Sequence, residues 1–269
     1  MKKRMVSLLL VLVMLLGLLP TAALAAPVGG GSGTAEDPYL IATAQELVDF
    51  RDAVNDSAKK STSKLCAKLT ANIDLGNEAW TPIGKMTNTY SDYVAFGGVF
   101  DGDGHTISGL KIDNSAQYQA LFGYVKGGTI KNLTVEGSVT TATTSSAYAA
   151  GIVAYGNPVT MENCVNKVTV SSTVKGNIAG VVAYAGTGST IKGCTNQGNI
   201  SGVGDYVGGV VASGSGVTME NCWNTGNIVN TKTPTSMSYC TGGVAGSLSS
   251  GSSATRCFNT GKVTSTIKR

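Results

Sequence analysis

One short stretch of the sequence combines the residue types that acid–base or metal chemistry needs. Asp101, Asp103 and His105 alternate with glycines, and His105 is the only histidine in the 269 residues. Oxygen ligands at this spacing could bind calcium, and a carboxylate beside an imidazole could serve as acid and base. The spacing differs from that of an EF-hand loop, so a structural turn is the favoured interpretation. Asp101 and Asp103 remain metal candidates, but we predict no metal and no cofactor.

A catalytic pair of carboxylates would need acidic residues on neighbouring repeats. Glu162 and Glu220 occupy the same position in two repeats, but Lys192 occupies that position in the repeat between them. No histidine or arginine accompanies them at the spacing that glycoside hydrolysis would require. A serine nucleophile lacks the G-x-S-x-G elbow. We therefore predict no catalytic residues.

The cysteines follow the same periodic arrangement. Four of the six, Cys164, Cys194, Cys222 and Cys257, recur about one repeat apart, whereas zinc motifs place cysteines two to four residues apart. Stacked repeats about 4.8 Å apart would allow a disulfide by distance, but parallel side chains point poorly for one. Buried free thiols are the favoured interpretation, and Cys66 and Cys240 are left unassigned.

Aromatic residues supply the candidate ligand-binding positions. Trp223 and Phe258 each follow a cysteine of this column and are predicted to face outward, and Tyr155 and Tyr184 form a second pair one repeat apart. Columns of exposed rings can bind sugars or partner side chains. The alternative is that stacked rings only stabilise one another. Tyr148 and Tyr206, two repeats apart, would extend such a face.

A repeat must position all of these residues. The segment from Gly208, GGVVASGSGVTMENCWNTGNI, recurs with its second glycine at Gly151, Gly180, Gly209 and Gly243, at intervals of 29, 29 and 34 residues, and a looser copy begins at Leu121. A fixed period of this length indicates units that stack around a shared core. Short β-branched runs broken by Gly, Asn and Ser predict about three short strands per repeat rather than helices.

Two asparagine columns are predicted to hold this stack together. Asn132, Asn163 and Asn221 share a bend position with Gly109 and Gly193, as expected for a left-handed backbone conformation. Arg256 occupies this position in the last repeat, which predicts an irregular bend there. A second column, predicted to form an amide ladder inside the stack, consists of Asn166, Asn196, Asn224 and Asn259.

The chain divides into four segments. Residues 1–25 have a basic start, an apolar run and an A-x-A site, which predict a cleaved signal peptide and no transmembrane span in the mature chain. Residues 26–37 are a Gly-rich lead-in. Residues 38–95 form an N-terminal cap, with a helix from Ala44 to about Asp56 that begins with a Thr43–Glu46 capping box, and residues 96–269 hold the repeats.

Removal of the signal peptide also changes the charge. The mature chain retains 17 Lys and Arg residues against 16 Asp and Glu residues, a net charge of +1. No basic cluster remains that would indicate a nucleic-acid partner.

The pattern GG-V-x-G-x-x-x-x-x-I-x-N-C-x-N-x-G resembles the GLUG-motif repeats of bacterial secreted and surface proteins. These are similar to the right-handed parallel β-helices of the pectin-lyase-like superfamily. The upstream segments GSGTAEDPYLIATAQELVDF, LTANIDLGNEAWTPIG and FGGVFDGDGHTISGLKI resemble the lead-in blocks of such domains, so the resemblance covers residues 32–269. It implies an all-β, single-stranded right-handed parallel β-helix with a short N-terminal capping helix.

The predicted function is that of a non-catalytic secreted or cell-surface domain, which acts in adhesion, as a scaffold or in binding. Its partner would be an extracellular glycan or a host or matrix protein, and the resemblance implies a larger surface protein or assembly. One alternative is a carbohydrate-binding module that uses the aromatic columns. The other is a polysaccharide-degrading enzyme, which would display acids with Arg or Lys on one sheet, whereas the first strands GIVAY, GVVAY, GVVAS and GVAGS carry neither.

Overall fold

In a computed structural model, the described residues form a parallel β-solenoid with one helix near its N-terminal end, as the sequence predicts. The structure describes residues 29–58, 60–86, 92–142, 146–231 and 239–266. The predicted signal peptide lies outside the described residues. The sequence also predicts loops at residues 85–95 and 229–238, and residues 87–91 and 232–238 of these lie outside the described residues.

The helix closes the N-terminal end of the stack. It spans Ala44–Asn55, and the predicted capping box is present, with the Thr43 side chain accepting from the Glu46 N–H. Leu47, Phe50 and Val54 are fully buried on the face that contacts the first coil. Because these residues lie over the core, the helix shields apolar side chains that the first coil would otherwise expose.

Each complete coil contributes strands to four sheets. The strands of sheet 1 are Tyr39–Ile41, Ala67–Leu69, Val99–Asp101, Gly128–Lys131, Val159–Glu162, Thr190–Lys192, Thr218–Glu220 and Ser253–Thr255. Those of sheet 2 are Ser61–Ser63, Lys85–Met86, Tyr93–Phe96, Phe122–Val125, Val153–Gly156, Val182–Ala185, Val211–Ser215 and Ala245–Ser249.

Sheet 3 is the broadest, because its early long strands are continued by two short strands in each later coil. Its strands are Ile73–Asp74, Thr106–Asn114, Thr134–Thr141, Val165–Asn166, Thr169–Ser172, Thr195–Asn196, Ile200–Gly202, Trp223–Asn224, Ile228–Asn230, Phe258–Asn259 and Val263–Ser265. Sheet 4 comprises Tyr118–Gln119, Ala147–Ala149, Gly176–Ala179, Tyr206–Gly208 and Cys240–Gly242.

Neighbouring coils pair in parallel and in register, so equivalent repeat positions form straight columns. In sheet 1, for example, Ile130 pairs with Met161, Met161 with Ile191, and Ile191 with Met219. These side chains are fully buried and belong to one continuous core. The period-2 alternation of each strand therefore sends one set of residues into the core and displays the other.

Two details differ from the sequence prediction. Sheet 4 adds a further strand to the coils from Tyr118 onward, beyond the roughly three strands per repeat that the sequence predicts, because its strands of two to four residues are too short to show a period. The alternation of residues from Leu65 to Leu75 predicts a single strand, but Ala67–Leu69 and Ile73–Asp74 are separate strands that pair in different sheets.

Candidate functional site

The inner asparagine column forms a continuous hydrogen-bonded ladder. The Nδ2 of each residue donates to the Oδ1 of the next, at 2.7 Å from Asn166 to Asn196, 2.6 Å from Asn196 to Asn224 and 2.6 Å from Asn224 to Asn259. Each Nδ2 also donates to the backbone carbonyl two residues ahead. The first three side chains are fully buried, so the ladder satisfies amide groups inside the stack.

The bend column adopts the predicted left-handed conformation. Asn132, Asn163 and Asn221 have φ values of 53°, 53° and 52°. The expectation of an irregular bend at Arg256 is wrong, because its φ of 53° matches the other coils. Its side chain helps to hold this conformation, since Arg256 Nε donates to Asn221 Oδ1 at 2.7 Å and its guanidinium pairs with Glu220.

The outer column of sheet 1 alternates in charge along the solenoid. Its successive members, each paired in register with the next, are Lys68, Asp101, Lys131, Glu162, Lys192 and Glu220. Two ion pairs join members of this column. Lys131 Nζ lies 3.1 Å from Asp101 Oδ2, and Lys192 Nζ lies 3.9 Å from Glu220 Oε2. A lysine flanks every carboxylate of this column, so no two carboxylates are adjacent, as an acid–base pair on neighbouring coils would require.

The Asp101 turn is held by internal hydrogen bonds. Asp101 Oδ1 accepts from the Asp103 N–H at 2.9 Å and from Asn132 Nδ2 at 3.0 Å. Burial by itself raises the pKa of Asp101, but the hydrogen bonds from Asp103, Asn132 and Lys131, with the Lys131 charge, outweigh it and lower the pKa below its usual value. The carboxylate therefore acts as the acceptor that organises this turn.

The other two residues of the stretch point to different partners. Asp103 Oδ2 lies 3.0 Å from Lys68 Nζ, and His105 Nδ1 lies 3.3 Å from Asn72 Oδ1. Within the described ranges, no three His, Cys, Asp or Glu side chains come together as a metal site. The three side chains of the stretch thus face a turn, an ion pair and the Asn72 amide.

All six cysteines are free thiols. Cys164, Cys194 and Cys222 are buried, and Cys257 is partly buried in the last described coil. The side-chain hydrogen bond that the Cys194 thiol makes with Cys164, together with burial, raises the pKa of Cys194, and burial raises the pKa of Cys222 to about 12. Since the thiolate is the reactive form, the inner members of this column are poor nucleophiles.

The tyrosine pair belongs to a larger tyrosine cluster, formed where sheets 2 and 4 meet. Its members are Tyr93, Tyr118, Tyr124, Tyr148, Tyr155 and Tyr184. The rings of Tyr155 and Tyr184 stack with centroids 4.6 Å apart, and those of Tyr118 and Tyr148 stack at 5.1 Å. Tyr155 is buried, with only 6% of it accessible. Tyr184 is half-buried, so this column mainly packs ring on ring.

Two further tyrosines show how far this arrangement extends. Tyr148 and Tyr206 do share a sheet 4 column, with Asn177 between them. In sheet 2 the column continues from Tyr184 to Ser213 and Ser247, so the tyrosines cover only the earlier coils.

Trp223 and Phe258 lie together on the outer side of sheet 3. They pair in register, their rings are parallel within 3°, and their centroids are 5.9 Å apart. Phe258 is 52% exposed and Trp223 is half-buried. Of the predicted ligand-binding pairs, this one presents the most accessible ring surface.

Sequence analysis missed two features of this surface. The charge alternation of sheet 1 has a sequence signal, because Asp101 and Lys131 align with Glu162, Lys192 and Glu220 of the later repeats. The tyrosine cluster combines two sheets, and the period of a single strand gives no information about which sheets face each other.

No protein-family model matches the chain, so the resemblance to GLUG-motif repeats remains a prediction. Halomucin of Haloquadratum walsbyi is 34% identical over 155 residues, which are 55% of this chain and 2% of halomucin. A "Putative Gly-rich membrane protein" of Evansella cellulosilytica is 32% identical over 114 residues, or 42% of this chain and 12% of that protein. The chain thus matches only a small part of either relative.

Among solved structures, a "putative immunoglobulin A1 protease" from Bacteroides ovatus has a similar fold. Its TM-score is 0.55, and the alignment covers 90% of this chain and 81% of the other. The sequences are 18% identical, so this similarity supports the β-solenoid fold alone. In the described part of the chain, no helix has the length and apolar character needed to span a membrane.

Proposed function

We propose that this chain is a non-catalytic module of an extracellular or cell-surface protein, in which a rigid β-solenoid presents its outer faces to a binding partner. The alternating column of sheet 1 carries this proposal. Its three carboxylates, Asp101, Glu162 and Glu220, each lie beside at least one lysine on an adjacent coil. Carboxylates spaced and paired in this way stabilise the stack rather than provide an adjacent acid and base.

The relatives support the location. A mucin-type name and a membrane-protein name both fit a surface protein, and the predicted signal peptide at residues 1–25 would direct the chain out of the cytoplasm. The small share of each relative that matches fits a module within a larger surface protein, as the GLUG resemblance also implies. Free thiols in an exported protein fit this proposal, since those of Cys164, Cys194 and Cys222 are shielded inside the solenoid.

Glycan binding is the favoured form of this function. The parallel rings of Trp223 and Phe258 offer an accessible aromatic surface, and aromatic faces stack on sugars. A host or matrix protein is the other partner class.

A polysaccharide-degrading or proteolytic enzyme is the rival function. It would have to use His105, whose Nδ1 lies beside the Asn72 amide, or Asp101, which the turn already engages. The protease name of the fold neighbour does not transfer at 18% identity.

The decisive experiment is a binding screen of purified residues 26–269 against glycans and matrix proteins, with turnover of the same polysaccharides measured in parallel. We expect binding without turnover. Turnover that disappears in Asp101→Ala or His105→Ala would refute the non-catalytic assignment. For glycan binding through the aromatic pair, Trp223→Ala and Phe258→Ala should abolish binding with unchanged far-UV circular dichroism, and unchanged binding would refute that role.

A further inference from the structure

We propose that the outer face of sheet 3 binds a neutral polysaccharide that extends across several coils. This sheet-3 face consists of the alternate, outward positions of residues 134–140, 165–171, 195–201, 223–229 and 258–264. The inference rests on the non-catalytic binding function proposed above and adds the location and chemical class of the ligand.

The sheet-3 face repeats the same positions over five coils. Parallel pairing joins its columns in register, for example Val170 to Ile200 and Ile200 to Ile228 in the buried column between them. With coils about 4.8 Å apart, five coils extend about 19 Å along the axis. Alternation along each strand exposes this face to solvent. In residues 225–229, for example, Thr225, Asn227 and Val229 are exposed, while residues 226 and 228 are buried.

Its composition is polar and nearly neutral. Of the 20 alternate positions, ten are Ser or Thr, of which Thr195 is buried, and three are Asn or Gln. Glu136 and Lys167 pair across adjacent coils at 2.8 Å and so offset each other's charge. Hydroxyls and amides both donate and accept hydrogen bonds, as the hydroxyl groups of a neutral sugar require. Sheet 1, in contrast, displays the alternating charges of its outer column.

Several of these side chains are fixed before any ligand binds. Ser171 Oγ donates to Thr140 Oγ1 at 3.1 Å, and Asn199 Oδ1 accepts from the backbone N–H of Asn227 at 3.1 Å. Asn227 Oδ1 in turn accepts from the Lys262 N–H at 3.1 Å. A preorganised polar surface loses less conformational entropy on binding.

The aromatic pair lies at one corner of the same face. Trp223 and Phe258 begin its two last coils, in the column that Val165 and Thr195 occupy earlier. Stacking on a sugar ring there would be adjacent to hydroxyl and amide groups in the same strands. A protein interface would instead require an apolar centre with a polar rim, and here the aromatic groups are at the edge.

The test is a sedimentation assay of residues 26–269 with insoluble cellulose, chitin and a mixed-linkage β-glucan. The test variant combines Gln197→Glu with Thr225→Glu, two exposed positions on adjacent coils. The matched control is Thr190→Glu with Thr218→Glu, which pair on the same two coils but in sheet 1, two residues before Lys192 and Glu220 of its outer column. Both variants carry the same added charge and should keep the wild-type circular dichroism.

We expect the wild type to bind at least one polymer at low and at high salt, since a neutral contact is not screened. The sheet-3 variant should bind about tenfold more weakly or worse, because a carboxylate would be desolvated beneath the ligand, and the control should bind as wild type. Equal binding by both variants, binding lost at high salt, or no binding to any neutral polymer would overturn the inference. Capture of a matrix protein instead would overturn it and leave the non-catalytic function standing, whereas turnover of a polymer would refute that function itself.

Discussion

Replacement of Asn196 by alanine should destabilise the chain more than replacement of any exposed asparagine. The Asn196 side chain is fully buried and makes three hydrogen bonds. Its Oδ1 accepts from Asn166 Nδ2, and its Nδ2 donates to Gly198 O at 2.9 Å and to Asn224 Oδ1 at 2.6 Å. Alanine would leave all three partner groups in the dry interior without this residue.

The expected cost follows from those three groups. A buried polar group that loses its partner costs about 1–3 kcal/mol, and relaxation recovers part of this, so Asn196→Ala should lower the free energy of unfolding by about 3–5 kcal/mol. Asn196→Asp should cost at least as much. It keeps the shape but removes the donor that faces Asn224 Oδ1, and it adds a charge in the interior.

The assay is urea unfolding of residues 26–269, followed by far-UV circular dichroism. The matched control is Asn199→Ala in the same coil. Asn199 is exposed and its Oδ1 accepts one hydrogen bond, from the Asn227 N–H, so its loss should cost about 1 kcal/mol or less. If Asn196→Ala and Asn199→Ala lowered the stability equally, the ladder would not be holding the coils together.

Three further predictions concern packing, pH and thiol reactivity. Gly180→Ala should destabilise the chain more than Gly104→Ala in the same urea assay, because a Cβ at Gly180 would lie 2.1 Å from Asn196 Oδ1, whereas Gly104 has only a positive φ and open space around it. Asp101, whose pKa is lowered on folding, contributes stability above its ordinary pKa of about 3.9, and that stability is lost as the pH falls through the folded pKa. The difference in stability between wild type and Asp101→Asn should therefore shrink as the pH is lowered, and a constant difference would contradict this. In timed alkylation read by mass spectrometry, the partly buried Cys240 and Cys257 should react before Cys194 and Cys222, and the reverse order would contradict the burial of the cysteine column.

The register between coils could be predicted from the sequence, because the residues that fix it act locally and recur once in each coil. An asparagine or glycine at the bend reports a backbone conformation that other residues adopt at a cost of about 1 kcal/mol or more. The recurring asparagine of the inner column, from Asn166 to Asn259, indicates a buried amide whose partner is the same residue type one coil away. The helix was predicted for a similar reason, since the Thr43–Glu46 capping box satisfies its first amides within four residues.

Features that depend on contacts between sheets could not be predicted in this way. Tyr155 is covered because Tyr118 and Tyr148 reach it from sheet 4, and no period within sheet 2 contains those residues. Arg256 adopts the left-handed conformation despite its side chain, since Asn221 and Glu220 of the preceding coil bind its guanidinium. Single-repeat reasoning fails at both positions because the compensating partner belongs to another coil or another sheet.

The candidate binding face follows from the same division between columns. A residue repeated at one coil spacing must either attract its own kind or alternate with a complement. Inside the stack, the amide of Asn196 bonds to the next amide of its own column. On sheet 1, Lys131 pairs with the opposite charge of Glu162. Both arrangements satisfy their polar groups within the protein. The hydroxyls and amides of the sheet-3 face are the ones that can pair with each other and still accept or donate to a ligand, because each has more hydrogen-bonding capacity than one neighbour uses. A neutral polysaccharide is the partner whose chemistry matches that remaining capacity.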